Sequence, residues 1–326
     1  MSAIIRQWGR WFAPLVFASG AAVQAQDKPA GYPERPIRII ISVAPGAGAD
    51  MVARMTAQVL SDRWGQNVVV DPRPGGGGVI ASTYAAKAEP DGYTLYQNGF
   101  GLLLQGATQR VEFDVLKTFV PVVRTTTQPY ILLVTPDIRA KSIKELIALS
   151  ASKPLTYAGS SGVGSTVHLG MERFATLSGT KLKHIAYKGS APALRALMGG
   201  EINMAATSAM SAIGAAKTGK VRPLATLGLK RVPVMPDLPT VAEQGFPGFS
   251  ITNSYNLWTP AGTPRPIIMA LNSVISKGMN SPEVEKRLHA SGSDAVDPIL
   301  PDALKKEVEK EYADIMQSVK QLGLKF

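Results

Sequence analysis

Apolar residues in this chain fall in short β-branched runs that alternate with stretches of helical spacing. Pro36-Ile37-Arg38-Ile39-Ile40-Ile41-Ser42-Val43 is apolar at nearly every position, as a strand covered on both faces requires. The small-residue stretch 44–49 reads as a loop. Asp50 reads as the N-cap of a helix with Val52, Met55 and Val59 on one face, ending at Trp64-Gly65. Strand 67–71, a glycine run at 75–78 that reads as a mobile turn, and helix 79–88 follow. The turn Glu89-Pro90-Asp91-Gly92 then leads to strand 93–96. Strand, helix, strand, helix, strand predicts a parallel sheet flanked by helices.

The stretch 119–136 is long and extended, with Thr125-Thr126-Thr127 between two β runs, and suits a strand crossing from one lobe to another. A second α/β set comes after it. Ser142 caps a helix through Leu149, then come strand 155–158, loop 159–165 and helix 166–177. Strand 183–187, helix 192–198, strand 202–206, helix 209–217 and a strand-like 222–227 complete the set. A second extended stretch, 249–258, leads to Pro260-Ala261-Gly262-Thr263-Pro264 and on to helices. The last helix carries Leu304, Val308, Tyr312, Ile315 and Val319 in one stripe. Two similar halves joined by two extended crossings predict a hinged two-lobe α/β protein. Its hinge falls near 125–128 and 251–255, and its binding loops lie at the carboxyl ends of its strands.

Loop 159–166, Gly-Ser-Ser-Gly-Val-Gly-Ser-Thr, has the length and context of a phosphate-binding Walker loop, but Ser165 stands where the lysine must be. A nucleotide therefore has nothing to hold its outer phosphates. A Gly/Ser loop opening a helix still offers free backbone N–H groups and a positive dipole end to an anion, and the loop before Asp50 repeats the arrangement. Such turns also occur simply as tight turns, so spacing alone leaves both readings open. Three histidines are present, His168, His184 and His289, with no pair at helical i, i+4 spacing for zinc. His168 stands one turn from Glu172, either bracing the loop or touching a ligand. The G-x-S-x-G elbow of serine hydrolases is missing, and no catalytic constellation or cofactor site can be assembled.

The first residues fix the compartment. Arg6 and Arg10 precede a short apolar run at 11–23, and Val23-Gln24-Ala25 supplies small residues for cleavage after Ala25. That layout is a secretory signal, and the run is short of the roughly 20 residues a spanning helix needs. The chain has 326 residues and no cysteine, so an exported product is stabilised by burial rather than disulfides. A formal charge of +11 favours anionic solutes. Lysine and arginine are scattered and not interleaved with aromatics, which argues against nucleic acid as a partner.

Several segments together carry a resemblance. They are Tyr32-Pro33-Glu34-Arg35-Pro36-Ile37-Arg38, Pro45-Gly46 with Asp50, Val52-Ala53-Arg54, Arg73-Pro74-Gly75 and Pro90-Asp91-Gly92-Tyr93-Thr94-Leu95. Tyr187-Lys188-Gly189-Ser190-Ala191-Pro192-Ala193, Leu238-Pro239-Thr240-Val241-Ala242-Glu243 and Pro260-Ala261-Gly262-Thr263-Pro264 continue the series. Over essentially the whole chain beyond the signal, in order, this resembles the periplasmic receptors of tripartite tricarboxylate transporters, the Bug family. The resemblance implies a type II periplasmic-binding-protein fold, a small carboxylate in the interlobe cleft and a two-subunit membrane permease as partner. It implies neither an enzyme nor a cofactor or metal.

The family's binding loops map onto Gly46, Ala47, Gly48, Ala49 and Asp50 in lobe 1, and onto Ser160, Ser161, Gly164, Ser165 and Thr166 in lobe 2. Val43, Phe100, His168, Ala206, Thr207 and Ser208 complete the candidate set. The N–H groups of 47–50 and 164–166 are expected as donors, beside the hydroxyls of Ser160, Ser161, Ser165, Thr207 and Ser208. The family commonly has Phe where Val43 stands and Phe-Asp where Ala206-Thr207 stands. The expected cleft is thus roomier and less negative, suited to a carboxylate larger than a four-carbon acid, with an aromatic dicarboxylate as candidate. The expected lobes are 26–125 with 254–326, and 126–253, in a monomer. A sensory receptor that reports occupancy to a membrane kinase is the alternative.

Overall fold

In this computed structural model the described residues are 29–321 and Gly323, apart from Ala44, Gly46, Ala47, Ser160, Ser161, Gly162 and Lys188. The expected signal segment lies outside them. Strand β1 (Ile37–Ile41) alternates as its sequence demands: Ile37, Ile39 and Ile41 enter one apolar cluster, and Ile40 enters another on the opposite face. Helix α1 (Gly48–Trp64) follows, then β2 (Val68–Pro72), α2 (Val79–Ala86) and β3 (Thr94–Gly99). Helix α1 starts two residues before Asp50. That residue therefore sits inside the first turn rather than capping it, a correction to the sequence reading. The glycine turn at 75–78 has left-handed φ at all four positions, which favours glycine throughout. It is anchored rather than loose, because Gln105 Nε2 donates to Gly77 O at 2.9 Å.

Two helices that the apolar pattern did not announce come next, α3 (Phe100–Ala107) and α4 (Val115–Thr118). Asp114 caps the second by accepting from Leu116 and Lys117 N–H. Strand β4 (Phe119–Val134) then runs unbroken for 16 residues, threonines included. Its first part lies in the sheet of the first lobe and its last part in the sheet of the second. The second lobe contains α5 (Ile143–Ser152), β5 (Leu155–Ala158), α6 (Thr166–Ser178), β6 (Leu182–His184) and α7 (Ser190–Met198). Strand β7 (Met204–Ser208), α8 (Ala209–Ala216) and β8 (Arg222–Thr226) complete it. The chain returns through β9 (Thr252–Pro260) to α9 (Arg265–Met279), α10 (Pro282–Ala290), β10 (Asp294–Ala295) and α11 (Pro301–Gln321).

The strands order as β2-β1-β3-β9-β4-β7-β5-β6, with β8 and β10 also pairing β4. Parallel pairs β1·β2, β1·β3, β5·β6 and β5·β7 form the two lobe sheets, and antiparallel β4 and β9 join them. Two apolar clusters cover the faces of each sheet. One residue departs from the expected division: Leu169 of α6 is buried among first-lobe residues, alongside Ile315 and Val319 of α11. At the join, Gly99 of β3 approaches β9 so closely that a Cβ would stand 1.7 Å from Ser254 O. Only glycine fits there.

Candidate ligand site

Strand direction decides which ends meet. Strand β3 is antiparallel to β9 and β9 to β4, so β1 and β3 point along β4 toward the second lobe. Strands β5 and β7 run against β4, so their carboxyl ends point back toward the first lobe. The loops after β1, β3, β5 and β7 therefore face one another across the middle of β4. Along β4, Thr126 pairs with Tyr255 of β9, pairing with β9 continues through Pro129, and pairing with β7 of the second lobe begins at Tyr130, opposite Ser208.

On the lobe 1 side the first turn of α1 carries Gly48, Ala49 and Asp50, while Gly46 and Ala47 lie outside the described residues. The buried Asp50 carboxylate is gripped by Arg54 one turn on, at 3.0 Å from both Nε and Nη2. That carboxylate is committed within its own helix, so it adds no free negative charge to the cleft. Gln97 Nε2 donates to Ala49 O at 2.7 Å and ties β3 to the same turn. Asn98 Oδ1 accepts from Gly99 and Leu102 N–H and fixes the start of α3. Val43 and Phe100 are half-buried and pack against different core clusters, on opposite faces of the sheet.

On the lobe 2 side Ser160 and Ser161 lie outside the described residues. The helix start beyond them is held by two hydrogen bonds. Ser165 caps α6, its Oγ accepting from His168 N–H at 3.2 Å. Gly164, with left-handed φ of 80°, donates its N–H to His168 Nδ1 at 2.9 Å. One expectation is corrected by this bond: the Gly164 N–H is spent on His168, which is 7% exposed and braces the loop through Nδ1. The first-turn amides of Thr166 and Val167 are the ones that helix geometry leaves for an anion.

The brace is a buried cluster. His168 stacks on His184 with ring centroids 4.1 Å apart, and Tyr157 donates to Glu172 Oε1 at 2.7 Å. Since Nδ1 accepts a hydrogen bond, His168 is neutral with its proton on Nε2, which faces Glu172 Oε1 at 4.0 Å. Burial pushes its pKa down, with Glu172 opposing; burial and His168 push His184 down to about 4. Burial and Glu172 hold the Tyr157 phenol far above its ordinary value.

Strand β7 supplies a third helix start. Ser208 caps α8, accepting from Ser211 N–H and donating to Ser211 Oγ at 3.1 Å. Thr207 is buried, with Oγ1 lacking a hydrogen-bond partner among the described residues. Ala206 is 1% exposed among Leu132, Tyr157, Val167 and Ile251. The expectation that Ala206 widens the cleft fails here, because the pleat of β7 turns this residue into the lobe 2 core. Sequence reasoning missed Gln97, Tyr130, Asn253 and Tyr255, which stand on strands that reach or cross the lobe boundary. The only signal for them was polar or aromatic character in an otherwise apolar extended run.

The family model for the tripartite tricarboxylate transporter family receptor, TctC, matches residues 52–323. The chain belongs to this family. TctC receptors are periplasmic solute-binding proteins rather than enzymes, and their ligands are small carboxylates. Protein BugT of Bordetella pertussis is 33% identical over 288 residues, covering 86% of this chain and 87% of that protein. Among solved structures, Rhodopseudomonas palustris Rpa4515 with adipate is similar at 32% identity and TM-score 0.73, covering 90% of this chain and 98% of that one. MatC from the same organism, with bound malate, is similar at 28% identity and TM-score 0.71, covering 88% of this chain and all of that one. Among the described residues no helix of this TctC receptor is long and apolar enough to cross a membrane.

Proposed function

We propose that this receptor captures a dicarboxylate between the facing loop sets and delivers it to a two-subunit membrane permease. The opposition of strand ends across β4 carries the reading. Four residue steps along β4 lead from the Thr126 row to the Tyr130 row, about 13 Å at the rise of a strand. A hydrogen bond of about 3 Å at each end leaves about 7 Å, close to the carboxylate separation of a six-carbon diacid. Adipate and malate in the two R. palustris receptors are diacids of this class.

One carboxylate is assigned to the first turn of α1 with Gly46, Ala47 and Gly48. The other is assigned to the Ser160, Ser161 and Thr166 side, with Ser208 beside it. Val43 leaves room for a ring, so an aromatic dicarboxylate stays within the class although Ala206 contributes no space. The segment 1–25 acts as the signal, cleaved after Ala25. The lobes are 26–125 with 254–326 and 126–253, closing as a monomer by bending where β4 and β9 cross. Titration calorimetry with succinate, malate, adipate, citrate and terephthalate tests ligand class, and small-angle scattering at saturation tests closure. A diacid that binds and reduces the radius of gyration is expected. Silence across the panel, or an unchanged radius on saturation, would refute the reading.

A further inference from the structure

Tyr255 stands where β9 enters the first lobe, four residues after Ile251, which is still buried in the lobe 2 core. Its cross-strand neighbours are Gly99 on one side and Thr126 on the other. Opposed residues on paired strands share a face, so this row lies on the face that carries α1. Gly99 contributes no side chain, and the phenol reaches across toward α1. A Cβ at Gly48, the first residue of that helix, would stand 3.6 Å from Tyr255 Oη.

The hydroxyl is held but not spent. Asn253 Nδ2 donates to Tyr255 Oη at 2.9 Å, so the oxygen accepts and the phenolic proton is left with no acceptor among the described residues. Two nearby side chains repeat this unfinished bonding. Gln97, 1% exposed and diagonal to Tyr255 across the β3·β9 ladder, donates to the first turn of α1 while its Oε1 has no partner among the described residues. Thr126, fully buried and directly opposite, has an Oγ1 unpartnered among the described residues. Buried polar groups are nearly always paired, and such a cluster at a cleft marks a place where another molecule completes the bonding. Burial, with Tyr130 adding to it, pushes the Tyr255 phenol up to about 12, so it remains a donor throughout the neutral range.

We infer that Tyr255, oriented by Asn253, donates its phenolic proton to the ligand carboxylate seated at the first turn of α1 and selects an anion at that end of the cleft. The inference rests on the dicarboxylate reading and adds a residue to it. Tyr255→Phe removes one oxygen and keeps the ring packing, so the fold should be retained. The probe is whichever of succinate, malate, adipate and terephthalate binds wild type most tightly, measured by calorimetry alongside ligand-free melting. Loss of a charge-assisted hydrogen bond predicts affinity weaker by roughly 10-fold or more at an unchanged melting temperature. Asn253→Ala, which frees the phenol without removing it, should weaken binding by a smaller factor and guards against a folding artefact. Wild type that binds, with Tyr255→Phe within twofold of it, would overturn the role of Tyr255 while leaving the receptor reading intact. Wild type that binds none of the four would remove both.

Discussion

The bond from Gly164 N–H to His168 Nδ1 should make affinity depend on the side chain that braces the loop. His168→Ala would leave a buried N–H without its acceptor, at a cost of about 1–3 kcal/mol. Because that N–H belongs to the loop carrying Ser160 and Ser161, the loss should fall on the ordering of the loop. If the ligand must restore that order, its Kd rises roughly 5- to 150-fold. His168→Asn places an amide oxygen near the Nδ1 position and should recover most of the loss. The same bond sets a pH dependence. Protonation turns Nδ1 from acceptor into donor, facing another donor. Both His168 and His184 titrate below the ordinary histidine value because they are buried. The unfolded chain, with ordinary values near 6.5, then takes up protons that the fold resists. Stability is full above about pH 6.5 and declines as pH falls toward the folded value, about 4 for His184. For a partly exposed ring the decline is of order 1–2 kcal/mol. Calorimetric Kd values at pH 7.5, 6.5, 5.5 and 5.0 for wild type, His168→Ala and His168→Asn separate this effect from titration of the ligand itself, which all three share. Wild type should weaken faster than His168→Asn below pH 6.5. Equal affinity of His168→Ala and wild type at pH 7.5, or identical pH profiles for wild type and His168→Asn, would refute the brace.

The remaining predictions concern the fold around the site. Gly99→Ala forces a Cβ into Ser254 O and should lower stability by more than about 3 kcal/mol in thermal melts. Gly214→Ala, on an exposed turn of α8 with nothing within 4 Å, should instead gain about 0.5–1 kcal/mol; equal effects at the two sites would contradict the close approach. Ala206→Phe should act as an overpacked core substitution, destabilising the unliganded protein by about 1–3 kcal/mol. An unchanged melting temperature with a selective loss of bulky ligands would return Ala206 to the cleft wall.

Much of the architecture was legible from side-chain pattern alone. The alternation of β-branched runs and helical spacing gave both α/β halves, and the two extended stretches became β4 and β9. Ser142 was read correctly as a cap because its hydroxyl lies three residues before Glu145, whose N–H it accepts. Helices α3 and α4 were missed because their apolar residues are packed too densely, and their lengths are too short, for a helical period to show. Asp50 misled because capping residues and first-turn acids share the same chemistry, and only the buried pairing with Arg54 separates them.

The sequence by itself determined the local elements, the absence of cysteine and the chemistry available in each loop, since these depend on residue type and near-neighbour spacing. Tertiary structure alone decided which way each group faces. Ala206 looked like cleft volume until the pleat of β7 put it in a core, and the bracing role open to His168 became visible only in its bond from Gly164. The Tyr255–Asn253 pair lies far along the chain from Gln97 and Gly48 and becomes their neighbour only through long-range strand pairing. Local pattern sets periodicity, but the direction of a strand and the partner across it are fixed by long-range pairing, which no single segment encodes.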